Sequence, residues 1–140
     1  MNLSIQHIGY LMKNITDKIK INVDVALKSY NLTLTQGRIL EFLDSKNGQA
    51  TQKEIEEFLK VSHPTAVGVV SRMEQKGFLL TWTDSSDRRN KVVAVTDHAQ
   101  KIASEMEAMI DEQECKLLEG LSKQQISELM SMLKVMYRNL

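Results

Sequence analysis

Apolar residues recur at helical spacing along most of the chain, and the pattern changes to that of strands only between residues 78 and 96. Residues 5–28 carry apolar positions at the i, i+3, i+4, i+7 spacing of a long amphipathic helix. The same spacing recurs in five later segments, whose first turns follow Thr35, Thr51, Ser62, Thr96 and Ser122. Hydroxyl residues at such positions are typical helix N-caps. Six helices are therefore predicted.

Capping and stop signals mark several of these boundaries. Thr51 and Glu54 have the three-residue spacing of a capping box, and Ser122 and Gln125 repeat it. Pro64 lies in the first turn of the fourth helix, where its missing N–H is tolerated. The predicted helix ends coincide with the turn SKNGQ (45–49), with Gly77 in a left-handed conformation and with Gly120.

Two segments rich in aromatic and β-branched residues, FLLTWT (78–83) and KVVAVT (91–96), flank a polar turn. This composition predicts a β-hairpin. The predicted fold is thus mostly α-helical with a small β-hairpin.

The third and fourth helices are separated only by KVSH (60–63), which predicts a tight turn and hence a helix-turn-helix. Such motifs lay the second helix in the major groove of DNA. Apolar spacing turns one face of that helix toward the core, namely Ala66, Val69, Val70 and Met73. The residues turned outward or to the flank are His63, Pro64, Thr65, Gly68 and Arg72. Polar groups at a helix N-terminus suit contact with phosphates and base edges, although Ser62, Pro64 and Thr65 also simply cap and start helices in many proteins.

Length and composition indicate one soluble globular domain. The 140 residues are 42% hydrophobic and 26% charged, and no apolar stretch approaches the roughly 20 residues of a membrane span. The N-terminus does not resemble a signal peptide, so a cytoplasmic protein is expected. The single cysteine, Cys115, excludes an intramolecular disulfide and fits a reducing compartment.

The formal net charge is zero, but the charges are unevenly distributed. Residues 60–91 hold six basic and three acidic side chains, whereas residues 97–140 hold five basic and eight acidic ones. Arg88, Arg89 and Lys91 lie at the predicted hairpin tip, beside Asp87. A basic segment in a neutral chain indicates a local anionic partner. A solvated tip without function is the alternative interpretation.

A hairpin directly after a helix-turn-helix has the position of the wing in winged-helix proteins, where arginine can enter the narrow minor groove. The arrangement LTLTQGRILEFL, TQKEIEEFLKVSHPTAVGVVSRMEQKGFLL and DSSDRRNKVVAVT resembles the multiple-antibiotic-resistance regulator (MarR) family of bacterial transcription factors over nearly the whole chain. The most specific part is the wing, with its Asp87-Arg88-Arg89 run followed by Val93, Val95 and Thr96.

The resemblance implies a winged helix-turn-helix lobe, about 33–96, between dimerisation helices, about 1–32 and 97–140. It implies a homodimer, intertwined through the first, fifth and sixth helices, that binds a near-palindromic operator in double-stranded DNA. The family's recognition-helix contacts fall on Ser62, His63, Pro64 and Thr65, and its minor-groove arginine on Arg89. Asp87 is expected either to orient an arginine or restrain the turn, or to be an ordinary turn-forming residue. Thr51 and Gln52 are candidates for contacts with the DNA backbone.

Three positions depart from the family pattern. Ala99 stands where the family usually has glycine, so the fifth helix is expected to start more regularly. Glu56 replaces a small residue beside the recognition helix, and its carboxylate needs a partner, with Arg72 and His63 as candidates. Cys115 lies far from the N-terminal cysteine of the family's redox sensors, so a buried thiol is expected instead.

A ligand-responsive repressor is expected from the resemblance, which implies an effector pocket between the dimer helices and the DNA-binding lobe. Met12, Met106 and Met109 could adapt to a small amphipathic or phenolic effector, or could be core filler. No cofactor, metal or enzymatic activity is predicted, since the three histidines are scattered and no phosphate loop or nucleophile elbow occurs. The alternative function is a winged helix that binds only proteins. Trp82 would suit that alternative, but its alternation with Leu80 and Phe78 favours a partly buried strand residue.

Overall fold

The computed structural model describes residues 7–140, and positions 5 and 6 of the predicted first helix lie outside the described residues. Six helices and three short strands occur within this range. The helices are α1 (Ile8–Ser29), α2 (Leu34–Ser45), α3 (Gln52–Leu59), α4 (His63–Gln75), α5 (Asp97–Leu117) and α6 (Lys123–Arg138). The strands are β1 (Gln49–Thr51), β2 (Leu79–Thr83) and β3 (Lys91–Val95). The predicted fold class, mostly α-helical with a β-hairpin wing, is confirmed.

The N-caps follow the predicted residues with one exception. Thr51, Ser62, Thr96 and Ser122 each accept a hydrogen bond from a backbone N–H in the first turn of the helix that follows. The cap of α2 is Thr33, however, and the prediction of Thr35 is wrong. Thr33 lies three residues before Gln36, and the two side chains form a reciprocal capping box that Thr35 could not make at this spacing.

Three helices end in the same hydrogen-bonded turn. Gly77, with φ of 83°, follows α4, and Phe78 N–H donates to the Met73 carbonyl at 3.0 Å. Asn31 and Asn47, with φ of 59° and 58°, fill the equivalent left-handed position after α1 and α2. Glycine and asparagine tolerate this backbone conformation better than other residues do, so the three ends are encoded locally.

The three strands form an antiparallel sheet in the order β1-β3-β2. The hairpin pairs Leu79 with Val95 and Thr83 with Lys91. The first strand, with Ala50 opposite Val93, was not predicted from the sequence. Its three residues are too few to show an alternating pattern, and it exists as a strand because β3 lies beside it.

The structure divides into two compact units at Ser104 and Glu105. The core of the first unit is drawn from α1 to α4, from all three strands and from the first turns of α5. Its most deeply buried side chains are Ile39, Leu43, Ile55, Val70, Met73, Leu79 and Val93. Phe58 and Leu59 are half-buried, and Phe58 stacks on Phe42 with ring centroids 4.4 Å apart.

The second unit comprises the rest of α5 and all of α6. No residue of α6 is buried within the chain. Its exposed apolar side chains include Met130, Met132, Val135 and Tyr137. None of the helices in residues 7–140 is long and apolar enough to cross a membrane.

Candidate nucleic-acid interface

The turn between α3 and α4 is three residues long and brings the two helices together as a helix-turn-helix. Lys60 adopts a left-handed conformation, with φ of 55° and ψ of 45°, and Val61 N–H donates to the Glu56 carbonyl at 3.3 Å. Ser62 then caps α4. Because Ala66, Val69, Val70 and Met73 are buried as predicted, the orientation of α4 about its own axis is fixed.

The start of α4 carries the side chains predicted to contact DNA, and they are exposed. Ser62, His63, Pro64 and Thr65 all lie open to solvent. The hydroxyl groups of Ser62 and Thr65 are 2.9 Å apart, and Ser62 Oγ also accepts from Thr65 N–H at 3.4 Å. The two hydroxyls therefore stabilise the helix start and remain accessible to a ligand.

Gly68 and Arg72 lie one turn apart on α4. Gly68 is half-buried and Arg72 is exposed. A Cβ atom placed on Gly68 would lie 3.5 Å from Nη1 of Arg72, so the guanidinium folds back over the glycine. Arg72 is thereby held along the helix surface, on the flank where it was predicted.

The carboxylate of Glu56 on α3 finds its partner in His63, whose Nδ1 contacts Glu56 Oε1. Of the two candidates predicted, the structure therefore selects His63 over Arg72. The contact joins the two helices of the motif on their exposed side. It also occupies one nitrogen of a residue predicted to bind DNA.

The two DNA-backbone candidates at the start of α3 are placed differently from each other. Thr51 is half-buried, and its hydroxyl is engaged in the capping box with Glu54. Gln52 is 6% exposed, and its Oε1 has no hydrogen-bond partner among the described residues. The placement of Gln52 does not favour a side-chain contact with phosphate, because the first position of α3 faces the protein interior.

Hydrogen bonds close the hairpin tip between β2 and β3. Asp84 N–H donates to the Asn90 carbonyl at 2.9 Å, and the Asp84 carboxylate accepts from the backbone N–H and the hydroxyl of Ser86 at 2.9 and 2.8 Å. The backbone and hydroxyl donors of Ser86 hold the pKa of Asp84 below its usual value. Hydrogen bonds between residues of the tip itself therefore define the conformation of the turn.

The cationic side chains of the tip extend into solvent. Arg88, Arg89 and Lys91 are all exposed, and the Arg89 side chain is 97% exposed. Asp87 Oδ1 accepts from Arg89 N–H at 3.0 Å and lies 4.0 Å from Arg89 Nε. Asp87 therefore restrains the turn, one of the two roles expected of it, whereas its 4.0 Å separation from Arg89 Nε is too long for a hydrogen bond that would orient the arginine.

The strand β2 carries two exposed apolar residues. Leu80 is 56% exposed and Trp82 is 44% exposed. Trp82 was expected to be partly buried, but β2 is an edge strand, and Trp82 pairs with Val92 on the side of the sheet opposite Val93. The outer side of the hairpin is accordingly apolar near its base.

Contacts that were not predicted connect the C-terminal end of α4 to the rest of the first unit. Thr81 Oγ1 donates to Glu74 Oε1 at 2.9 Å and so ties β2 to α4. Lys76 Nζ donates to the Asn31 carbonyl at 2.8 Å and to Gln36 Oε1 at 3.2 Å. The spacing of Thr33 and Gln36 could have indicated the capping glutamine, whereas no local signal could have indicated its contact with Lys76.

Cys115 and Ala99, two further residues singled out in the sequence, both belong to α5. Cys115 is exposed in the chain, so the expected buried thiol is not what the structure contains. Within residues 7–140, His, Cys, Asp and Glu side chains do not form a group of three that could hold a metal ion. Ala99 is fully buried, and its N–H donates to Thr96 Oγ1 at 3.1 Å at a regular start of α5, as expected.

Comparison with known proteins agrees with this geometry. The model of the MarR family matches residues 30–89. The fold matches a mutant of Staphylococcus aureus MepR with a TM-score of 0.86 at 24% identity, covering 95% of this chain and 98% of that one. A structure of the S. aureus MepR–DNA complex matches with a TM-score of 0.77 at 26% identity, covering 94% and 98%. The transcription regulator MarR of Oenococcus oeni matches with a TM-score of 0.62 at 28% identity, covering 94% and 99%.

The helix-turn-helix followed by a hairpin defines a winged helix-turn-helix protein. The family match spans the first part of this motif through Arg89, and the similar structures extend over nearly the whole chain. Over residues 30–89 the chain matches the MarR family, and its fold is that of transcription regulators of this family. The resemblance read from the sequence is confirmed.

Proposed function

We propose that this protein is a sequence-specific transcriptional regulator that binds double-stranded DNA through α4 and the hairpin wing. The observation that carries the proposal is the exposure of Arg89, at 97%, on a tip ordered by its own hydrogen bonds. A cation held out on an ordered hairpin suits insertion into the minor groove, where the negative potential is strongest. The likeness to MepR, whose structure bound to DNA matches this fold, supports the same interpretation.

In this proposal the two elements have different roles. The start of α4 enters the major groove, and Ser62, His63, Pro64 and Thr65 lie against phosphates and base edges. Gly68 and Arg72 extend that surface along α4. The wing, with Asp87, Arg88, Arg89 and Lys91, follows the neighbouring backbone and minor groove. Thr51 contributes at most through the helix start that it caps.

We further propose that the functional unit is a homodimer formed through α1, α5 and α6. The exposed apolar side chains of α1 include Ile8, Leu11, Ile21 and Val25. Those of the second unit include Ile110, Met132, Val135 and Tyr137. Apolar surface of this extent is usually covered by association, and a two-fold dimer places its recognition helices about 34 Å apart on one face of DNA. The operator is therefore a near-palindrome.

The regulator is proposed to act as a repressor that a small amphipathic or phenolic effector releases. Met12, Met106 and Met109 give the helices adaptable apolar side chains that suit varied ligands. Such an effector must bind the DNA-incompetent geometry more tightly, by about 5 kcal/mol for a complete switch. A panel of phenolic and cationic amphipathic compounds tests this directly, since an effector lowers the affinity for operator in a concentration-dependent way. If no compound in the panel lowers the affinity for operator, the proposed effector class is contradicted.

Selection of bound fragments from random double-stranded DNA tests the function and identifies the site in one experiment. Enrichment of an inverted repeat is the expected result. Failure to enrich any sequence at low salt would contradict DNA recognition, because phosphate contacts are strongest there.

A second function is favoured by one observation. The exposed Leu80 and Trp82 on the edge strand β2 form an apolar patch of the kind that anchors protein interfaces. If the selection enriches no sequence, a winged helix that binds another protein through this patch becomes the better interpretation. The polar and cationic tip next to it favours DNA.

A further inference from the structure

The contact between Glu56 and His63 places a titratable group at the start of α4. We propose that Glu56 is a positioning residue that holds the His63 ring at Nδ1, and that His63 binds DNA as the imidazolium by donating from Nε2 to an acceptor on the duplex. This inference rests on the proposed function and adds to it a proton that is taken up when the protein binds DNA.

The two side chains are unequally exposed, and the His63 ring lies on the solvent side of the pair. The Glu56 side chain is 19% exposed, whereas that of His63 is 69% exposed. The carboxylate is thus covered by the protein, and the ring extends from it into solvent. Since Nδ1 is engaged by Glu56, the nitrogen that remains for a ligand is Nε2.

Protonation decides what Nε2 can do. In a neutral ring that donates from Nδ1, Nε2 carries a lone pair and accepts hydrogen bonds, whereas in the imidazolium both nitrogens donate. Phosphate oxygens and the N7 atoms of purines are acceptors. The imidazolium is therefore the form that complements DNA, and the negative charges of Glu56 and of the phosphates both favour it.

Other charged residues lie on the same two elements. On α3 and its C-cap, Lys53, Glu54, Glu57 and Lys60 are the remaining charged residues close to Glu56 in sequence, and on α4 Arg72 follows more than two turns later. In the part of the chain that the structure describes, Glu56 is the acid whose carboxylate contacts the His63 ring. The N-terminal end of α4 disfavours a cation, so the carboxylate offsets the helix dipole at this position.

The direction in which DNA affinity changes with pH follows from the number of protons that the free and the DNA-bound states hold. Histidine changes charge between about pH 5 and 8. Because the DNA-bound state holds one more proton in each lobe, affinity is highest at low pH and is lost as the pH rises through this range. The slope of log affinity against pH approaches about one proton per lobe.

The test measures DNA affinity by fluorescence anisotropy from about pH 5.5 to 8.5 at constant ionic strength. The probes are a duplex enriched from random DNA and an unrelated duplex of equal length, and the variants are His63→Gln, His63→Lys and Glu56→Gln. The parent is expected to lose affinity as pH rises, His63→Gln to show a flat profile, and His63→Lys to retain its affinity at high pH. Glu56→Gln should keep the shape of the parent profile and shift it to lower pH.

The two probes distinguish the acceptor. A base acceptor makes the pH dependence larger on the enriched duplex, whereas a phosphate acceptor makes it equal on both. Asp17→Asn is the control, because it removes the acid of the exposed Lys13–Asp17 pair on α1 and leaves the pH profile unchanged.

A parent protein that binds DNA with the same affinity at every pH would overturn the inference. The inference would also be overturned if the variants of His63 and Glu56 changed the affinity by one constant factor across the pH range. Such a result would mean that a contact or a charge is lost and that no proton is taken up on binding. A parent that binds neither duplex at any pH would instead contradict the proposed function, and the inference with it.

Discussion

The Thr96 hydroxyl donates to the carbonyl oxygen of Gly77 at 2.6 Å and so joins the start of α5 to the end of α4. Thr96 Oγ1 also accepts from the N–H of Ala99 at 3.1 Å, which caps α5. One side chain therefore caps α5 and ties its start to the residue that follows α4.

We predict that Thr96→Val lowers the free energy of unfolding by about 1 to 3 kcal/mol, because the cap and the bond to Gly77 are both lost while the side-chain shape is kept. Urea unfolding followed by circular dichroism measures the change. Thr35→Val, at an exposed position in the first turn of α2, is the matched control and should change stability by less than about 0.5 kcal/mol. Equal losses in the two variants would contradict the double role of Thr96.

The left-handed conformation of Lys60 gives a second prediction. Lys60→Gly should be more stable than Lys60→Ala by about 1 kcal/mol, because alanine is strained at φ of 55° and glycine is not. Both variants lose the same charge, so their difference isolates the backbone. At Glu57, an exposed position inside α3, the order should reverse, with glycine less stable than alanine by a similar amount. The same order at both positions would contradict a left-handed turn.

How far the sequence could predict these features depends on whether each one is local. The caps at Thr51 and Ser62 and the stop at Gly77 were predicted because each is formed by residues no more than five positions apart. The error at Thr35 has the same origin, since the neighbouring Thr33 competes for the role and only its spacing from Gln36 decides between them. Local patterns thus give the order of the elements and most of their ends.

Features formed by distant residues were not predictable. The strand β1 depends on β3, which lies more than 40 residues later. The bonds from Lys76 to Asn31 and Gln36 depend on the packing of α4 against the start of α2. The partner of Glu56 could be narrowed to His63 and Arg72 from the sequence, but the choice between them required the helix packing.

Dimerisation through α6 is tested by a charge on its exposed apolar face. Val135 is 50% exposed, and Val135→Glu should convert a dimer, of twice the 16.0 kDa chain mass, to monomer at micromolar concentration. A buried, unpaired carboxylate at an interface is strongly unfavourable, whereas the same group is harmless in solvent. Lys134→Glu, at the adjacent exposed position, is the control and should remain dimeric. Light scattering that finds the parent monomeric would contradict the proposed dimer.

The wing tip should respond to acid through Asp84. Its pKa in the folded tip lies below the usual value of 3.8, so its ionised form stabilises the tip above about pH 4, and that contribution is lost as the pH falls toward the lowered value. Asp84→Ala should therefore speed amide hydrogen exchange at Ser86 at neutral pH. Asp87→Ala is the matched control, because it removes the acceptor of Arg89 N–H and should act at Arg89 instead. Unchanged exchange at Ser86 would show that Asp84 does not order the tip.

Substitutions in the wing and in α4 should weaken DNA binding in different ways. If Arg89 enters the minor groove, Arg89→Ala weakens binding to operator and to unrelated DNA alike and flattens the salt dependence by about one unit for each lobe. Thr65→Val should cost roughly 1 to 3 kcal/mol, mostly on operator, if the hydroxyl reads a base. Anisotropy titrations over a salt series measure both effects.

Both variants should keep the unfolding midpoint of the parent, because Arg89 is 97% exposed and Thr65 lies at an exposed helix start. Stability is therefore the control for each affinity measurement. Arg89→Ala is expected to weaken binding to both duplexes, and Thr65→Val to weaken binding to operator alone. That outcome would show that the wing contacts DNA independently of sequence and that α4 reads the bases. Should Arg89→Ala bind operator as tightly as the parent at every salt concentration, the arginines form a solvated tip and the wing does not bind DNA.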